Sequence, residues 1–217
     1  MIHLIRNKIF PSNTYILTDH NETNCLIIDP GLDESWIYDQ IQKINVKPVA
    51  ILSTHGHFDH IAGVSFLKEK YNDIPFYLHE ADIKISRSVN FYMKVAGIDK
   101  RIQTPVPDFL FTKDYEKKAI HGFDIDIYNL PGHSYGSCVI RTGANLFSGD
   151  IIYKKGLGFN SFPGEDRDKL RDSILKMFTM FPGKFLVLPG HGESEYLQGI
   201  KRNNIELVGF LETSLND

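Results

Sequence analysis

The stretch Thr-His-Gly-His-Phe-Asp-His at residues 54–60 places four side chains able to bind metal, His55, His57, Asp59 and His60, within six residues. Imidazole and carboxylate are the usual donors to zinc and similar divalent ions. In an extended turn His55 and His57 can face one point, while Asp59 and His60 enter a helical turn and point elsewhere. One segment can therefore serve two neighbouring ions. Gly56 and Gly63 allow the backbone to come close. Farther along, His133 and His191 each sit in a Pro-Gly-His turn, and Asp150 closes a Ser-Gly-Asp after an apolar run. Of the other histidines, His79 follows a strand-like Phe-Tyr-Leu and is read as structural. His3, His20 and His121 lie in terminal or turn contexts and are read as solvated.

These residues hang on short apolar runs alternating with helical patterns. Residues 2–10, 13–17, 25–28, 49–52, 76–78, 125–129, 138–141, 145–147 and 185–188 read as strands. A helix is expected over 36–44, with Trp36, Ile37, Ile41 and Ile44 on one face. A second starts near Asp59 and runs to Tyr71. Residues 168–181 carry Leu170, Ile174, Met177, Phe178 and Phe181 at three- and four-residue steps, the clearest amphipathic helix. Strands and helices in both halves fit two sheets, or one large sheet, covered by helices. The segment 83–104, with Phe91, Tyr92 and Met93, is expected to supply a pocket wall.

Composition narrows the function. The chain has 217 residues, 42% hydrophobic and 24% charged, with a net charge of −3. That is read as a single folded domain over 1–217. Without basic tracts, no nucleic-acid partner is expected. Without a leader or an apolar run of bilayer length, no membrane partner is expected either, and a cytoplasmic location is. Cys25 and Cys138 lie in separate strand-like runs and are expected as buried thiols.

Taken together, 54–60, Pro-Gly-His-Ser-Tyr-Gly-Ser at 131–137, Ser-Gly-Asp at 148–150 and Pro-Gly-His-Gly at 189–192 resemble the metallo-β-lactamase superfamily. Within it the chain is most similar to glyoxalase II-like hydrolases, from Asn-Thr-Tyr at 13–15 and Ile-Asp-Pro-Gly at 28–31 onward. The resemblance implies an α/β fold, a four-layer αββα sandwich with metals at one edge between the sheets. It places His55, His57 and His133 on one metal and Asp59, His60 and His191 on a second. Asp150 bridges both, and Asp29 supports the His-rich loop without binding metal. Two divalent ions per chain are implied, zinc by default, with iron or manganese also compatible.

Such a pair would act on a small-molecule substrate through a metal-bridging hydroxide, with Asp59 orienting it and taking its proton. A thiolate, with a pKa near ~8.5, departs without protonation, which favours thioesters over alkoxide or amide leaving groups. The chain has Gly-Phe-Asn-Ser at 158–161, where relatives carry a Gly-Arg-Thr-Asp-like run. It ends about 26 residues past His191, with Lys201 and Arg202 as the basic pair, so a glutathione-gripping region is not expected. Three alternatives stand beside the thioesterase. One is a mononuclear-iron persulfide dioxygenase using His55, His133 and Asp150. Another is a lactonase, β-lactamase or nuclease, and the last is a non-catalytic metal-stabilised protein.

Overall fold

A computed structural model describes residues 1–159 and 162–212. Asn160 and Ser161 of the Gly-Phe-Asn-Ser run therefore lie outside the described residues. The first sheet orders β1 (Ile2–Arg6), β2 (Asn13–Thr18), β3 (Asn24–Ile28), β4 (Lys47–Leu52), β5 (Phe76–His79) and β6 (Phe109–Phe111) side by side. Its first three strands are antiparallel and its last four run parallel. The second sheet orders β7 (Tyr115–Ile120), β8 (Phe123–Asn129), β9 (Cys138–Thr142), β10 (Asn145–Gly149), β11 (Leu186–Pro189) and β12 (Glu195–Tyr196). Only β10 and β11 pair in parallel there.

The two-residue period of the strands divides their side chains between apolar layers. On β3, Cys25 and Ile27 face outward beneath α1 (Glu34–Ile44), meeting Ile37 and Ile41. Leu26 and Ile28 face inward, meeting Ile125, Ile127, Ile140 and Phe147 of the second sheet. On β9, Val139 turns to the far side, where Leu170, Ile174 and Met177 of α6 (Arg167–Met180) cover it. Three apolar layers thus separate four layers of secondary structure, and the αββα sandwich is present. Each fully buried Ile or Leu in them contributes roughly 1.5–3 kcal/mol of transfer free energy.

Several expectations need correction. The strand expected over 2–10 ends at Arg6, because Asn7 turns the chain, its N–H donating to Ser12 O at 2.9 Å. The helix expected from Asp59 to Tyr71 is two helices, α2 (Phe58–Ile61) and α3 (Val64–Lys70). Gly63 sits between them, its N–H bonded to Pro30 O, and a Cβ there would lie 2.8 Å from Gly31 O. Trp36 leaves the buried face of α1: it is exposed beneath Lys8 and Lys43, while Ile37 and Ile41 fill the core. Residues 83–104 hold α4 (Ile83–Ser86) and α5 (Val89–Val95). His3 is half-buried on β1 rather than solvated, with Nε2 enclosed. His20 and His121 are exposed.

Residues after β12 form α7 (Leu197–Asn203) and α8 (Ile205–Glu212), and Lys201 and Arg202 lie on an exposed face as expected. Cys25 and Cys138 are buried free thiols, and burial pushes the Cys25 thiol up to about 12. Among the described residues, no helix is long and apolar enough to cross a membrane.

Candidate metal centre

The chemistry-bearing residues converge at strand ends on one edge of the sandwich. β4 delivers Thr54 and His55, and His57 precedes α2, whose first turn carries Asp59 and His60. β10 ends at Gly149, just before Asp150, and β11 ends at Pro189, two residues before His191. His133 lies in the turn between β8 and β9. All seven residues expected from the sequence come together here, and all but the half-buried His191 are buried.

They fall into two groups. His55, His57 and His133 form one, and Asp59, His60, Asp150 and His191 form the other, each compact enough to hold an ion. Asp150 Oδ2 lies 3.2 Å from His191 Nε2, 3.5 Å from His133 Nε2 and 4.0 Å from His55 Nε2, so it faces both groups. Asp59 Oδ2 lies 3.1 Å from His191 Nε2 and 3.2 Å from His60 Nε2. His133 Nε2 stands 2.9 Å from His57 Nδ1.

Several inward donors are enclosed without a hydrogen-bond partner: His55 Nε2, His60 Nε2 and Asp150 Oδ1. Burying such atoms unsatisfied costs free energy unless something binds them. Nitrogen and carboxylate donors converging in this way fit divalent cations. A Cβ at Gly190 would lie 2.0 Å from Asp150 Oδ1 and 2.6 Å from His60 Cε1, so only glycine leaves these groups their place.

Outer partners fix the rings. His133 Nδ1 bonds to Gly158 O at 2.5 Å. Asp29 reaches His60 Nδ1 at 3.3 Å and accepts from the Thr54 N–H and hydroxyl, both at 2.7 Å. This is the supporting position expected for Asp29.

The electrostatics differ between groups. Burial, then the neighbouring imidazoles His60 and His57, pushes His55 well below the usual histidine range. Burial and His133 bring His57 down to about 3. Burial opposes charge on His60 too, but the carboxylates of Asp59 and Asp150 outweigh it and hold the ring well above the usual range. At His191 burial is likewise outweighed by Asp150, raising it to about 10. Asp59 and Asp150 stay ionised: burial would raise both, but His60 at Asp59 and His191 at Asp150 lower them strongly.

Two residues escaped the sequence reading. Tyr153 is held protonated: burial first, then the charge of the Asp150 carboxylate, pushes its phenol far up. It shares with Lys154, Lys155, His191, Gly192 and Glu193 a cleft of about 310 Å³. Asp82 is wholly buried behind the His-rich loop. Neither lies in a His-rich run; Tyr153, three residues past Asp150, carried the better signal. His79 is structural as expected, its Nδ1 accepting from Ala81 N–H. Of the residues expected in a pocket wall, Phe91 is exposed and Met93 joins the core. Tyr92 alone points toward the centre, through Phe162, whose ring centroid lies 5.2 Å from His57.

The Bacillus subtilis probable metallo-hydrolase YqgX is 33% identical over 203 residues, covering 92% of this chain and 93% of that one. Hydroxyacylglutathione hydrolase GloC of Haemophilus influenzae is 27% identical, covering 94% and 96%. Among solved structures, the BLEG-1 B3 metallo-beta-lactamase superposes with a TM-score of 0.86 at 29% identity, over 96% of this chain and 100% of that one. TTHA1623 in a di-iron-bound form gives 0.83 at 28%, over 94% and 98%. The family model for the metallo-beta-lactamase superfamily matches residues 8–191, and the chain, a metal-dependent hydrolase by that membership, belongs to this superfamily.

Proposed function

We propose that this chain is a dinuclear metal-dependent hydrolase acting on thioesters of small acyl groups. His55, His57 and His133 are assigned to one ion, Asp59, His60 and His191 to the other, and Asp150 to both. The observation that carries this reading is Asp150 Oδ2, a single oxygen within 4.0 Å of His55, His133 and His191 Nε2. Two divalent ions bound there would supply a hydroxide nucleophile at neutral pH and polarise an acyl carbonyl.

The chain's own groups do the positioning. Asp59, held ionised, is placed to orient the attacking water and take its proton. The cleft beside His191, lined by Tyr153 and Lys154, admits the acyl portion. Thiolate leaving groups suit the site because they need no proton. The name of GloC supports the same class. Zinc is the proposed occupant; the mixed N and O donors also suit iron and manganese, and a di-iron form of one related structure supports iron.

The likeness to BLEG-1 favours a second reading, β-lactam hydrolysis. A panel of thioesters, lactones, β-lactams and phosphodiesters, assayed with zinc-loaded protein, tests both. Thioester turnover well above the rest is expected. β-Lactam turnover in the lead would favour the second reading. Oxygen uptake on glutathione persulfide, with one iron per chain, would replace hydrolysis by persulfide oxidation.

A further inference from the structure

Asp82 lies in the 3-10 turn after β5, remote in sequence from every proposed ligand, and is 0% exposed. Its carboxylate meets three donors. Oδ2 accepts from Gly56 N–H at 2.8 Å and from the Ser134 hydroxyl at 2.7 Å, and Oδ1 accepts from Gly136 N–H at 2.7 Å. Gly56 separates His55 from His57, Ser134 directly follows His133, and Gly136 lies three residues past it. One side chain therefore ties together the two loops that carry the whole first group.

Space tells the same story. A Cβ on Gly56 would lie 2.9 Å from Asp82 O and 3.0 Å from Asp82 Cβ, and one on Gly136 would lie 2.8 Å from Asp82 Cγ. Both loops close on Asp82 as tightly as glycine allows. The second group is anchored by other residues: Asp29 holds His60, and Ser12 donates to Asp59 O at 2.8 Å. Buried acceptors are costly to leave unpaired, and here each oxygen is matched to an N–H or O–H.

We propose that Asp82 is a positioning residue of the first metal group, setting the separation between the His55–His57 loop and the His133 loop. This rests on the assignment of His55, His57 and His133 to one ion. Asp82→Asn conserves volume but turns an NH2 toward at least one donor, so a bond becomes a repulsion. The metal-free variant reports on the clamp alone: amide exchange at Gly56 and Gly136 should quicken by ~10–100-fold, with exchange in the β8 and β9 cores unchanged.

With zinc, equilibrium dialysis should show one ion held as in the wild type and the other ~10–100-fold weaker, the size expected for loss of a ligand-orienting partner. If Asp82→Asn fails to fold, Ser134→Ala removes a single donor and should weaken the same ion in the same direction. Wild-type exchange at both glycines, or equal weakening of both ions, would overturn the proposal. A wild-type protein that itself holds one ion would instead overturn the two-ion assignment, and the exchange result would still report on the clamp.

Discussion

Asp29 Oδ2 lies 3.3 Å from His60 Nδ1, and the same oxygen accepts the Thr54 hydroxyl, which stands 3.1 Å from His55 Nδ1. One buried carboxylate thus sets ring orientation in both metal groups and turns the Nε2 atoms of His55 and His60 inward. Asp29 has a φ of 53°, a left-handed conformation that asparagine also accepts. Asp29→Asn should therefore keep the fold while weakening zinc retention about 10–100-fold. Asp29→Ala adds a left-handed backbone cost of about 1–2 kcal/mol and should also melt earlier. Chelator competition and thermal melting separate these effects. Unchanged zinc affinity in Asp29→Asn would remove the orienting role.

Asp150 and His191 should differ in what they hold. An amide at position 150 keeps the size but loses the charge that draws two cations together against their mutual repulsion. Asp150→Asn should empty or scramble both sites, whereas His191→Ala should retain about one ion, since the first group is untouched. Metal content after gel filtration distinguishes the two. Two tightly bound ions and normal thioester turnover in Asp150→Asn would make the residue structural.

Protonation should distinguish the groups as well. Without metal, His55 and His57 are neutral at neutral pH, while His191 sits at about 10 and His60 is also raised. Zinc entering the second group must displace protons; zinc entering the first displaces none from these rings. Second-ion affinity should therefore climb with pH more steeply than first-ion affinity. The raised His191 also stabilises the metal-free fold fully below its unfolded value near ~6.5, and that contribution is lost as pH rises toward 10. Calorimetry in buffers of different ionisation enthalpy counts the protons released. Equal release for both ions would contradict this picture.

The seven candidate ligands were legible because chemistry crowds them into short runs, four of them within 54–60. The strands feeding them were legible because both faces are covered, which leaves continuous apolar runs such as residues 49–52. β7 was not, since its buried positions include Glu116, whose carboxylate accepts from Thr112 and Lys113 N–H, so the apolar alternation is broken. The break at Gly63 was hidden because a contact with Pro30, distant in sequence, ends the helix. Asp82 was illegible for a related reason: its partners lie 26 and 54 residues away, and a lone buried aspartate has no local pattern.

The hairpin joining β7 and β8 gives a control outside the metal centre and shows which substitution serves. Its two-residue turn is His121-Gly122, with φ of 47° and 87°, between the paired Ile120 and Phe123. Positive φ at both positions is the type I′ requirement that Asn-Gly meets best. His121→Ala would place a less tolerant residue in the left-handed region and lower stability by about 1 kcal/mol without touching a ligand. His121→Asn should raise the melting point by roughly 2–4 °C if it gains as much as 1 kcal/mol. Both variants should keep wild-type metal content and turnover, whereas His57→Ala and His60→Ala should lower both together. Metal loss in His121→Asn equal to that in His60→Ala would mean that the sorting of histidines into ligands and turn residues is wrong.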